Sequence, residues 1–171
     1  MPQDAAKAVE WFEKAASRKD LGAVMELGIM FRDGKYLPPD REKAFHWFEK
    51  GAEWKDPYSM AALADMLLEG TPSAEQAARA LALYREAAAA GYFPAALKAA
   101  ELLQNGKGGE LDADEAYRLL RRVADATGDP KAMYMLAQVY YTRGDEAQGD
   151  SLMKASAQAC LLYTSPSPRD A

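Results

Sequence analysis

The chain has 171 residues, 49% of them hydrophobic, with a net charge of −5, one cysteine and one histidine. That length supports a substantial core, but no apolar run reaches the ~18 residues of a membrane span, and a single Cys excludes an internal disulfide framework. The acidic balance disfavours a nucleic-acid partner, whose phosphates need a basic surface. With His46 the sole histidine, neither a metal centre nor a cofactor is expected.

The chain repeats itself. WFEKAA, WFEKGA, LYREAA and LLRRVA begin at residues 11, 47, 83 and 119, a constant interval of 36. A fixed period of this size marks a helical repeat, each unit a pair of helices that buries its faces only by stacking on neighbours. Residues 1–20 form a partial unit with only the second helix, so Val9, Trp11 and Phe12 have nothing upstream to cover them. In the unit 21–56, Ala23, Leu27, Met30 and Phe31 space a first helix, Gly34 supplies its left-handed cap, and Asp40 caps a second helix carrying Ala44, Phe45, Trp47, Phe48 and Ala52. The unit 57–92 has Ser73 and Gln76 at capping-box spacing, and the unit 93–129 has Asp112 and Glu115 in a related arrangement after a Gly108-Gly109-Glu110 loop. Residues 130–159 read as a degenerate unit with Leu152 and Met153 on its second helix. Residues 160–171 fit no column. They match the translation of a transposase sequencing adaptor and are expected to be a disordered, non-native tail.

Two columns bear on packing. Gly28, Ala64, Ala100 and Ala137 are small mid-helix residues, expected where a neighbouring helix comes close. Trp11, Trp47, Tyr84 and Tyr117 are expected to pack between helices rather than form a stacking platform.

The phrase running from Pro2-Gln3-Asp4 through Ala8-Val9-Glu10-Trp11-Phe12-Glu13-Lys14-Ala15-Ala16, followed by Ala23, Leu27-Gly28, Met30-Phe31, Gly34 and Pro39-Asp40, resembles the Sel1-like repeat, a relative of the tetratricopeptide repeat. The resemblance covers residues 1 to about 159. It implies an all-α fold, a right-handed α/α solenoid of stacked helix pairs. Met1 falls inside an interhelix loop where family members often have Val, so the chain is expected to be a fragment of a longer bacterial protein. Cytoplasm and bacterial periplasm both fit the sequence.

No enzyme constellation stands out. His46 has no second His or Cys, and Gly106-Lys107-Gly108-Gly109 lacks the Ser or Thr and the strand of a phosphate loop. Arg118, Arg121 and Arg122 have Asp114, Glu115 and Asp125 within helical pairing distance. The resemblance instead implies a protein–protein interaction scaffold whose first helices line a concave surface. By the Leu27-Gly28 register, the candidate groove residues are Met25, Ile29, Arg32 and Asp33, then Tyr58, Asp65, Leu68 and Glu69. The later units add Leu97, Glu101, Gln104 and Asn105, then Tyr134, Gln138 and Tyr141. Apolar anchors beside carboxylates suit a peptide bearing a few apolar residues and some Lys or Arg. Two other classes fit less well. Secreted relatives that bind or hydrolyse β-lactams carry a Cys pair in each unit, which this chain lacks, and RNA-reading helical repeats need a basic groove.

Overall fold

The computed structural model describes residues 3–34, 37–109 and 111–164, and every regular element among them is an α-helix. In chain order they are α1 (Gln3–Ala16), α2 (Leu21–Asp33), α3 (Arg41–Glu53), α4 (Pro57–Leu67) and α5 (Ala74–Ala89), then α6 (Phe93–Asn105), α7 (Ala113–Thr127), α8 (Pro130–Thr142) and α9 (Glu146–Thr164). This is the all-α helical-repeat architecture the period implies. The expected start at Met1, the loop residue Glu110 and the expected tail residues 165–171 lie outside the described residues.

The helix boundaries follow from local chemistry. Asp40 accepts a hydrogen bond from the Lys43 amide at 3.0 Å, and the Ser73–Gln76 box is complete in both directions. Asp112 accepts from the amides of Asp114 and Glu115. A second column of caps was not singled out in the sequence: Asp20, Asp56 and Asp129 accept from the amides of Ala23, Ser59 and Ala132 at 2.8–3.0 Å. Gly34 closes α2 at φ 65°, its N–H reaching the Met30 carbonyl at 3.1 Å.

The chain forms two compact units, residues 1–95 and 96–171. In the first, α1 to α5 pack successively, and α2 also touches α4, the contact between successive first helices that tandem stacking requires. Its core holds Leu27, Phe48, Leu63, Leu81 and Tyr84, each at most 2% exposed. Gly28 has a clear reason to be small: a Cβ there would lie 2.4 Å from the Phe48 ring. Gly51 likewise faces Ser59, whose Oγ would lie 2.2 Å from an added Cβ. Trp47 and Trp54 share the Lys50 ammonium, which sits 5.2 and 5.6 Å from the two ring centres. In the second unit α7 packs on α8 and α8 on α9, around Leu120, Val123, Leu136 and Ala137.

Two expectations change. Of the aromatic set, Tyr84 is buried, Trp47 and Tyr117 are half-buried, and Trp11 is 70% exposed. The buried column is Phe48, Tyr84 and Leu120, at the true interval of 36. Trp47 stands one residue away from it, turned by about 100° around the helix. The second difference is that α9 continues past residue 159 through Thr164. Ala155 to Leu162 contains no Gly or Pro, and the first proline after Pro130 is Pro166, so nothing local breaks the helix earlier.

Candidate functional site

The fifteen groove candidates are all exposed or half-buried, whereas Leu27, Leu63, Ala99 and Leu136 in the helix register beside them are buried. The core face and the candidate face of the first helices are therefore distinct.

In the first unit the candidates gather around an aromatic run. The Tyr58 ring lies 6.3 Å from Phe48 and 6.1 Å from Tyr92, the latter pair edge to face. Arg32 donates two hydrogen bonds to Asp33, at 2.7 and 3.2 Å, and its guanidinium sits 5.7 Å from the Phe48 ring centre. The hydrogen bond to Asp33 holds the Arg32 pKa above its ordinary value and, in return, the Asp33 carboxyl below the usual carboxylate range. Asp65 accepts a 2.5 Å hydrogen bond from the hydroxyl of buried Tyr84. Burial pushes the Tyr92 phenol up first, and the neighbouring Tyr58, Asp65 and Asp56 add to that rise. Glu69 pairs with Arg41 at 3.0 Å, on the rim. Met25 and Ile29 on α2 and Leu68 at the end of α4 are half-buried apolar residues.

Sequence reasoning missed Tyr92 and gave Tyr84 only a packing role. Tyr92 lies just before α6, outside any helix pattern. A signal was nonetheless present: it stands in the column of Asp20, Asp56 and Asp129, where a capping residue is the rule.

In the second unit the candidates are more dispersed. Tyr134 is 47% exposed, and Glu101, Asn105 and Gln138 are also exposed. Gln104 and Gln138 flank an open depression of about 310 Å³ with Leu103, Leu111 and Val139. Tyr141 has a structural job: its ring covers Gly149, where an added Cβ would lie 2.5 Å away, and its hydroxyl donates to Asp150 at 2.8 Å. Leu97 is half-buried.

Of the basic cluster on α7, Arg121 is engaged locally. Arg121 pairs with Asp125 at 2.9 Å, while Arg143 from α8's end pairs with Asp114 and covers the Tyr117 ring at 4.7 Å. Tyr117 and Tyr140 share a 3.0 Å hydrogen bond, which lowers the first phenol's pKa and raises the second's. Among the described residues no group of three or more His, Cys, Asp or Glu is placed to hold a metal ion. No helix among them is long and apolar enough to cross a membrane.

The Sel1 repeat profile matches residues 1–20, 22–53, 57–92, 94–127 and 130–152. The chain belongs to the Sel1 repeat family. Sel1 repeat proteins typically mediate protein–protein interactions and are typically not enzymes. Similar solved structures include a protective antigen of uropathogenic Escherichia coli strains displaying an SLR fold, at 23% identity and a TM-score of 0.73, matched over 90% of this chain and 37% of that one. A Sel1 repeat protein from Oxalobacter formigenes is 24% identical with a TM-score of 0.75, over 88% and 63% of the two chains. MamA is 15% identical with a TM-score of 0.62, over 88% and 85%. The chain thus spans about two fifths and just under two thirds of the first two neighbours' lengths, and at these identities the likeness is one of fold. Comparison with curated protein sequences gives no match.

Proposed function

We propose that this Sel1 repeat chain is an interaction scaffold that binds a partner protein through an extended or helical peptide segment, using the exposed faces of its first helices. The observation that carries the reading is the separation of faces. Along α2, α4, α6 and α8 the buried register serves the core; the other register leaves Met25 and Ile29 half-buried and Asp65 exposed in residues 1–95, and Leu97 half-buried and Glu101 exposed in residues 96–171. Apolar anchors rimmed by carboxylates suit a segment with a few hydrophobic residues and some basic ones. No cluster among the described residues favours catalysis over this reading, and the negative charge opposes a nucleic-acid ligand.

Selection of a displayed library of random 12-residue peptides tests it. Peptides should be enriched on the intact chain, and their affinity should fall about tenfold or more in Ile29→Glu or Leu97→Glu, in line with loss of an interface anchor. Glu75→Lys, on the exposed side of the second helix α5, should leave binding unchanged. An unselective library, or equal binding by all three variants, overturns the proposal.

A further inference from the structure

The first unit holds a group of side chains that core packing does not explain. Asp20, Asp56 and Asp129 each cap the helix that follows, but the fourth position of the column is Tyr92. A phenol is too long to fold back on the next turn as Asp does, and here its ring is engaged with Tyr58 at 6.1 Å. Where one position abandons a rule its equivalents obey, a function other than stability is the reason to look for.

The surroundings say which ligand fits. Two half-buried phenol rings stand edge to face. Asp56 caps α4 two residues before Tyr58, and Asp65 lies two turns after Tyr58 on the same helix face; both charges add to the rise of the Tyr92 phenol that burial begins. Neither carboxylate is loosely held: Asp56 accepts from the Ser59 amide at 2.8 Å and Asp65 from the Tyr84 hydroxyl at 2.5 Å. The nearby cation, Arg32, donates two hydrogen bonds to Asp33 and also acts on the Tyr58 phenol. Aromatic faces with fixed negative charge beside them attract an ammonium or guanidinium group and repel an anion.

We propose that Tyr58 and Tyr92, flanked by Asp56 and Asp65, form the seat for one Lys or Arg side chain of the bound peptide. The inference rests on the peptide-binding reading and names the contact that fixes the peptide's register.

The test uses the library peptides selected on the intact chain. Each Lys is replaced by norleucine and each Arg by citrulline, and Kd is measured against the wild type, Tyr92→Leu, Tyr58→Leu and Asp65→Asn. The leucine variants keep apolar bulk without the π face, and the amide introduced by Asp65→Asn can still accept from Tyr84, so all three should keep the wild-type circular dichroism. One cation should be worth about tenfold in Kd on the wild type, a cation–π contact with a charge partner, and clearly less on each of Tyr92→Leu, Tyr58→Leu and Asp65→Asn, which each remove one part of the seat. That loss of coupling is the signature of direct contact. If peptides bind but none carries Lys or Arg, or if every cation contributes equally on wild type and Tyr92→Leu, the seat is refuted while the groove stands. If no peptide is enriched, both fall.

Discussion

Ser59 keeps a hydroxyl where the equivalent positions carry only a methyl: Ala23, Ala95 and Ala132 share its column. The residue is fully buried against Gly51, and its Oγ has no hydrogen-bond partner among the described residues. An unsatisfied buried hydroxyl costs roughly 1–3 kcal/mol. Ser59→Ala should therefore raise stability by about 1 kcal/mol, read as a higher urea midpoint at unchanged slope. Gly28 points the other way. An added methyl 2.4 Å from the Phe48 ring overpacks the α2–α3 contact, so Gly28→Ala should lose about 1–2 kcal/mol despite its better helix propensity. Adding Phe48→Leu should recover part of that loss, because the third unit already pairs Ala100 with Leu120 at the same two positions. The need for a small residue at 28 was legible from its column of Gly and Ala. Its partner was not: the conspicuous Trp47 drew the reading one residue away from Phe48, and only burial separates the two.

Caps decide the elements, and most were readable because capping is local. Asp40, Ser73 with Gln76, and Gly34 perform the roles their spacing predicts. Asp40 carries a pH consequence. The Lys43 amide holds its carboxyl below the ordinary value. Its contribution is therefore complete above the unfolded value near about pH 4, and is lost as pH falls through the lower folded one. Asp40→Asn, a comparable cap without a charge, should show a smaller drop in urea midpoint between about pH 5 and about pH 2.5 than the wild type. At the other end of the second helices, the left-handed column is Lys19, Lys55, Gly91 and Gly128. A non-glycine residue costs about 1–2 kcal/mol in that conformation, so Lys19→Gly should gain about 1 kcal/mol in thermal or urea unfolding. Tyr92 sacrifices a cap of similar worth, about 1 kcal/mol. Neither the caps Asp20, Asp56 and Asp129 nor this exception was noticed in the sequence, because these residues fall in the turns between units, where hydrophobic periodicity carries no signal.

At the level of the whole chain, the repeat was legible because four copies of one phrase cannot arise from local propensity. The same register proposes which face of the first helices meets a partner, and the residues taken from it are exposed or half-buried. The pairing of Tyr58 with Tyr92 was not legible, since their contact depends on how α4 and the turn before α6 meet in space. Tandem repeats are stabilised largely by nearest neighbours, so damage at one end should not be felt equally at the other. The three tryptophans, Trp11, Trp47 and Trp54, all fall within residues 1–95. Indole emission is therefore a dye built into one end of the molecule, while far-ultraviolet ellipticity sums over every helix. Leu136→Ala, which empties a site 2% exposed in the second unit at about 2–5 kcal/mol, should bring an early loss of ellipticity during a denaturant titration while emission holds its native value. Superimposable optical curves for that variant would mean the array melts as one piece.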